Sequence, residues 1–426
     1  FYSKEGFAAV ALSWIILSLI GALPMYLTGE FPSYIDALFE TISGFTTTGS
    51  SILSDVETLS RGTAFWRCFT HWIGGMGVLV FIMAVMPLSD SSSMHLMRAE
   101  SPGPAVGKLV PKVKTTAMIL YGIYVVFTVI EIIALLIAGM PLFDSMTLTF
   151  GTVGTGGFGL LNSSIASYST AVQIIITVFM IICSINFTVY YMFLIKRPKE
   201  ALMCEEMRYY LLIVFGSALL IAFNIRASFA SFGKAFQQAI FQVASVISTT
   251  GFATADFNLW PEFSRMILVL LMFVGACAGS TGGGFKVSRL IIMVKSVRNE
   301  IMSVTHPRSV QKVHMDGRRI PDNVVKTVLC YLAGYVVILI VSVLLISLDN
   351  FDMTTNFTAV MATFNNVGPG LNRVGPTGNF GGFSVLSKLV LMFDMLVGRL
   401  ELYPMLVIFA PGLWRIHPHR HVGKVQ

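Results

Sequence analysis

The chain has 426 residues; 55% are hydrophobic, only 12% are charged, and the net charge is +7. Its mean hydropathy is +0.75. Soluble domains carry roughly a quarter charged residues, so this composition excludes a soluble enzyme, a disordered chain and a nucleic-acid binder, and points to a polytopic membrane protein. Its apolar runs are continuous rather than alternating, which excludes a β-barrel.

Eight stretches are long enough to span: 7–28, 64–88, 114–139, 168–195, 209–229, 263–297, 323–348 and 384–414. The first is too long for a signal peptide, and no small-residue cleavage site follows it. The cysteines (Cys68, Cys183, Cys204, Cys277 and Cys330) are odd in number and lack framework spacing, so no disulfide is predicted. Inside each pair of stretches lies a segment too short to cross, amphipathic at first and then rich in Gly and Thr. The four read YIDALFETISGFTTTGSS, LFDSMTLTFGTVGTGGFG, AFQQAIFQVASVISTTGFATADF and MTTNFTAVMATFNNVGPGL. Gly49, Gly157, Gly251 and Gly368 line up at a loose period of about a hundred residues, the mark of an internal repeat.

The expected fold is an all-α polytopic membrane protein. Four helix–pore loop–helix repeats stand in pseudo-fourfold arrangement around one ion pore. Their expected bounds are 1–113 (pore loop 33–52), 114–208 (pore loop 142–160), 209–321 (pore loop 234–257, gating loop 275–284) and 322–426 (pore loop 351–371 and a cytoplasmic tail). Basic residues such as Arg98, Lys108, Lys196, Arg208, Arg298, Arg318 and Arg415 cluster in the linkers between repeats and in the tail. That places the linkers and both termini in the cytoplasm. Asp36, Glu40, Asp55, Asp144, Asp256 and Asp352 gather on the outer side, where an acidic vestibule raises the local cation concentration.

Non-helical backbone survives at membrane depth only when buried in protein or lining a watery path. Four such turns can aim rings of carbonyl oxygens at one axis and replace the hydration shell of a monovalent cation. Glycine supplies the dihedrals this needs and leaves the axis open. One such turn reads better as a kink; four at equivalent positions, each after a short helix, reverse that.

The turns TTTGSS, TGGFG, STTGFATADF and NNVGPGL resemble the four filter loops of the TrkH/TrkG branch of the Trk/Ktr/HKT potassium-transporter superfamily. So do HWIGGMG (71–77), AGSTGGGFKVSR (278–289) and GRLELYP (398–404), and the resemblance covers essentially the whole chain. It implies potassium held by the backbone carbonyls of Thr48 and Gly49, Gly156 and Gly157, Thr250 and Gly251, and Val367 and Gly368. In this superfamily a serine at the first filter glycine goes with sodium transport, and Gly49 is of the potassium type. The second loop departs from a plain Thr-Gly pair. The resemblance also implies a homodimer, a bacterial inner-membrane location and a cytosolic TrkA-type ring subunit that binds NAD or adenine nucleotides. K+ is the transported ion, with no organic cofactor in this chain. The branch usually carries a further N-terminal hairpin, whereas this sequence starts at the first repeat.

Residues 275–284 cannot form a stable helix, because each interior glycine costs about 1 kcal/mol relative to alanine. Gly275, Gly279, Ser280, Thr281, Gly282, Gly283 and Gly284 therefore read as a mobile loop beneath the filter that blocks the path when closed, and the resemblance implies the same role. Arg399 lies mid-segment in the last apolar stretch. Such a residue faces the interior, and its expected partners are carbonyls of the 275–284 loop or water. As a cation below the filter it would also repel permeating potassium. His71, Glu131 and Asp394 are embedded too and read as local hydrogen-bonding or packing residues.

Two motifs mislead. Gly154 to Gly159 fits G-x-G-x-x-G, but no strand precedes it and no acidic residue follows until Glu200. Gly279 to Lys286 resembles a phosphate loop without its Gly-Lys-Ser/Thr ending. The leading function is channel-like potassium uptake under gate control, by a protein that is not an enzyme. The alternative is an H+- or Na+-coupled symporter of K+ or another small solute, built on broken helices. Against that alternative, the four repeats share one orientation. No protease, lipase or paired-aspartate motif supports an intramembrane enzyme.

Overall fold

The computed structural model describes residues 3–77, 113–306 and 311–410. Four long helices stand first in each pair: α1 (Ser3–Leu27), α4 (Val113–Ile137), α9 (Glu205–Ile225) and α13 (Asp322–Ile346). Each leads to a short helix: α2 (Tyr34–Phe45), α5 (Leu142–Val153), α10 (Phe232–Ile247) and α14 (Met353–Phe364). Ser33, Ser231 and Asp352 start three of these by accepting the backbone N–H three residues on. The second helices are α3 (Arg61–Gly75), α6 (Thr170–Cys183) with α7 (Phe187–Leu194), α11 (Glu262–Val274) with α12 (Val287–Thr305), and α15 (Val385–Leu400) with α16 (Leu402–Val407). A six-residue α8 (Pro198–Met203) precedes α9, and a two-stranded hairpin (His314–Met315 with Arg318–Arg319) sits in the linker between the third and fourth repeats.

Among the described residues, the four first helices are each long and apolar enough to cross a membrane alone. Their outward faces leave Ile20, Val126, Leu212 and Ile340 exposed, as lipid contact demands. The second helices are more interrupted than the eight spanning stretches suggest. A break was expected only in 263–297. Helices α6 and α7 also meet at an 88° bend, and α15 stops at Glu401, whose φ is +65°. Helix α3 stops at Gly75, and the rest of the expected 64–88 span lies largely outside the described residues. Apolar content hid these breaks. Their cause is local: Asn186 caps the new helix α7 by accepting Thr188 N–H at 2.8 Å, and a left-handed residue ends α15.

Each short helix packs between the two long helices of its own pair. Each second helix also reaches the next short helix: α3 packs on α5, α6 on α10, α11 on α14, and α15 back on α2. The largest apolar cluster joins the first and last quarters of the chain through Trp14, Phe39, Phe45, Phe364 and Met395. Close approach depends on small residues. A side chain on Gly74 of α3 would run into the Phe45 carbonyl, and one on Gly398 of α15 into the Phe364 carbonyl.

Gly74→Val is expected to lower stability by about 1–3 kcal/mol through overpacking. Gly216→Ala in α9, where nothing lies within 4 Å, is expected to raise it by about 0.5–1 kcal/mol. Melting temperatures of the two variants in detergent check both signs.

Candidate functional site

The four short helices end in one backbone pattern. The N–H groups of Thr48, Gly156, Thr250 and Val367 donate to the carbonyls of Ser43, Gly151, Ser245 and Ala362 at 2.8, 2.7, 2.9 and 2.8 Å. One residue earlier, Thr47, Thr155, Thr249 and Asn366 have φ of +55, +54, +59 and +55°, and donate to Gly44, Thr152, Val246 and Thr363. This pair of bonds with a left-handed residue is the Schellman ending. A β-branched residue at positive φ is strained, so three threonines there mark a special site. The next glycines, Gly49, Gly157, Gly251 and Gly368, have φ of +79, +81, +85 and +100°. These dihedrals put Gly157 in register with the other three.

The turns touch in a closed circuit. A side chain on Gly49 would collide with the Gly156 carbonyl, on Gly157 with that of Thr250, on Gly251 with that of Val367, and on Gly368 with that of Thr48. The four glycines line one open cavity of about 140 Å³. Among the described residues, the carbonyl oxygens of Thr48, Gly49, Gly156, Gly157, Thr250, Gly251 and Val367 accept no hydrogen bond. Gly368 O accepts one, from Ser50 Oγ at 2.9 Å. Outside the turns, Asn162 Nδ2 donates to Asp55 at 2.7 Å, and this bond holds the Asp55 carboxyl below the usual carboxylate range.

The left-handed side chains point to what lies beneath. Thr249 Oγ1 accepts Gly283 N–H at 2.6 Å, and Asn366 Nδ2 donates to Met395 O at 2.9 Å. Arg399 donates to Thr47 Oγ1 at 3.1 Å, Thr281 O at 2.7 Å, Gly74 O at 2.5 Å and Gly75 O at 2.7 Å. Thr281 lies in the expected loop; the two α3 carbonyls were not foreseen. The 275–284 loop is tied on several sides. Cys277 N–H meets Ser184 O at 3.1 Å, and Gly279 O accepts Phe187 N–H at 3.0 Å. Glu206 Oε1 accepts both Ala278 N–H (2.7 Å) and Ser288 N–H (3.0 Å). Buried Lys286 donates to Gly282 O.

A family model described as TrkH, cation transport protein, matches residues 1–416. The chain belongs to the TrkH family. It is 36% identical over 423 residues to the potassium uptake protein TrkH of Salmonella typhimurium, covering 97% of this chain and 86% of that one. It is 32% identical over 418 residues to TrkG of Escherichia coli, covering 97% and 86%. The crystal structure of the potassium transporter TrkH from Vibrio parahaemolyticus matches with a TM-score of 0.87 at 33% identity, over 97% of this chain and 86% of that one. The chain is thus a mostly helical, multi-pass membrane protein whose named relatives are transporters.

In this TrkH family member, sequence reasoning missed Thr47, Thr155, Thr249 and Asn366. Their signal was a Thr or Asn two residues before each aligned glycine. It also missed Glu206 and Lys286, whose roles need the folded loop. His71 is hydrogen-bonded, its Nδ1 lying 2.8 Å from Gly44 O and its Nε2 accepting Phe158 N–H at 3.2 Å. Asp394 accepts from Ser342 Oγ at 2.8 Å. Glu131, expected to hydrogen-bond or pack locally, is wholly buried beside Thr152.

Glu206→Leu strands two buried N–H groups and is expected to cost about 1–3 kcal/mol for each. Glu206→Gln keeps an acceptor oxygen and is expected to lose less. Thermal melts of both variants decide whether this carboxylate anchors the loop.

Proposed function

We propose that this chain takes up potassium by channel-like translocation across the bacterial inner membrane. The four units 1–113, 114–208, 209–321 and 322–426 surround one pore in pseudo-fourfold arrangement. Its filter is built from the backbone carbonyls of Thr48, Gly49, Gly156, Gly157, Thr250, Gly251, Val367 and Gly368, with K+ as cargo. The 275–284 loop and Arg399 form the gate beneath. The termini and linkers are cytoplasmic, and the chain works as a homodimer. A cytosolic TrkA-type, nucleotide-binding ring controls the gate; for the dimer and the ring the support is the family resemblance.

The observation that carries the reading is that seven of these eight carbonyl oxygens, all but that of Gly368, meet no hydrogen-bond donor among the described residues. A buried carbonyl without a donor demands another electropositive partner. A ring of such oxygens offers a monovalent cation the contacts it loses with water. The names of the relatives, potassium uptake proteins TrkH and TrkG, agree with potassium as the cation. The broken second helices keep a coupled carrier as the second reading. Flux of labelled potassium into liposomes, with and without a proton or sodium gradient, separates the two. Uphill accumulation driven by either gradient would overturn the channel.

Gly49→Ser is expected to admit sodium, because its side chain must displace the Gly156 carbonyl at the ring. An unchanged potassium-over-sodium flux ratio would remove Gly49 from the filter.

Arg399→Ala is expected to raise potassium flux, since it releases the Thr281 carbonyl and removes a cation below the turns. Flux and melting temperature are read on one preparation. Lower stability without higher flux rules out the gate and leaves Arg399 a tether.

A further inference from the structure

The four turns leave their helices alike, but their outer legs are held differently. In three of them the turn's own short helix accepts the N–H three residues past the glycine. Glu40 of α2 takes Ile52 N–H at 3.1 Å and the Ser51 hydroxyl at 2.9 Å. Gln242 of α10, with its amide oxygen turned to the donors, takes Thr254 N–H at 2.9 Å. Thr358 of α14 takes Leu371 N–H at 2.9 Å. In the second turn the position of Glu40 and Gln242 is Leu148, which has no acceptor. Among the described residues, no α5 side chain bonds to residues 158–161.

That leg is held from α3 instead. His71 is wholly buried and bridges Gly44 O and Phe158 N–H. A carbonyl only accepts and a backbone N–H only donates. Both bonds therefore require a neutral imidazole with its proton on Nδ1. Buried Arg67 gives its Nε–H to Glu40 Oε1 at 2.6 Å and an Nη1–H to Gly159 O at 3.1 Å. Its guanidinium lies 3.6 Å from the centre of the Phe158 ring. The segment so held contains Gly156, Gly157 and Gly159, the backbone with the most freedom to lose.

We propose that Arg67 and His71 are positioning residues that set cation specificity by fixing the second turn, whose own helix supplies no clasp. Glu40 and Arg67 then form one joint, the carboxylate holding the first outer leg and the guanidinium the second. This assignment rests on the filter reading above. Potassium and sodium carry the same charge, so discrimination between them depends on where the carbonyl oxygens sit. Losing either α3 bond frees the second turn to shift its share of the ring.

The test compares the potassium-over-sodium flux ratio in liposomes, and the melting temperature, for wild type, G49S, R67K, H71N and R67K/L148Q. Lysine keeps the charge beside Glu40 but lacks the planar fork that serves Gly159 as well. Asparagine can reproduce the bond to Gly44 O but is too short for Phe158. R67K and H71N are each expected to lower the ratio about tenfold, one hydrogen bond's worth, while keeping potassium flux. L148Q, which copies the third turn's solution, is expected to restore part of the ratio lost in R67K. If G49S lowers the ratio while folded R67K and H71N keep it, the positioning role is wrong and the filter stands. If G49S keeps it too, the filter reading itself fails. Should one α3 variant not fold, the other decides. Failure of both to fold, or equal loss of both cation fluxes, makes the pair structural and overturns the proposal.

Discussion

An unpaired peptide group inside a membrane costs several kcal/mol, and where those groups go decides this fold. The four long first helices satisfy them internally. The four short helices stop inside the protein, and each ends in a Schellman turn that brings the N–H of Thr48, Gly156, Thr250 or Val367 back onto its own helix. The donors are therefore used and the acceptors are left over. That polarity is why the turns suit a cation rather than an anion.

The same constraint explains Arg399. Helix α3 ends at Gly75; among the described residues Gly74 O takes the Gly77 N–H at 3.0 Å and Gly75 O takes no backbone N–H, so both have room for a further donor. A guanidinium offers five donors in one plane, and Arg399 spends them on Gly74 O and Gly75 O while reaching Thr281 O and Thr47. One side chain thus caps a helix of the first quarter, holds the glycine loop of the third and belongs to the fourth. The bonds that tether the loop are those the proposed gate would have to release. The other breaks are satisfied pairwise: Ser184 O by Cys277 N–H, and Gly279 O by Phe187 N–H.

Backbone likeness coexists with side-chain difference. A single polypeptide can hold each turn by its own means, and it does so with a carboxylate, an amide, a hydroxyl and, for the second turn, two residues borrowed from α3. The ring is regular where peptide groups face it and irregular one layer out, where only the positions of those groups have to be kept.

The sequence by itself determined the membrane class, the four short helices, the aligned glycines and the glycine loop. Each is a local property: continuous apolarity, a capping residue, a backbone that needs positive φ. Spacing aligned Gly157 with Gly49, Gly251 and Gly368 only to within a residue, and its φ of +81° set the register. Tertiary structure decided what spacing cannot carry. Breaks at Asn186 and Glu401 were hidden in apolar runs, because one capping or left-handed residue interrupts a helix without changing its hydropathy. Arg399 finds its partners on other quarters of the chain, Glu206 finds its own 72 and 82 residues on, and Arg67 and His71 each join a residue of the first quarter to one of the second. Each was chosen by which orphaned carbonyl or N–H the folded protein brought within reach, and that is a matter of distance in space, on which sequence separation is silent.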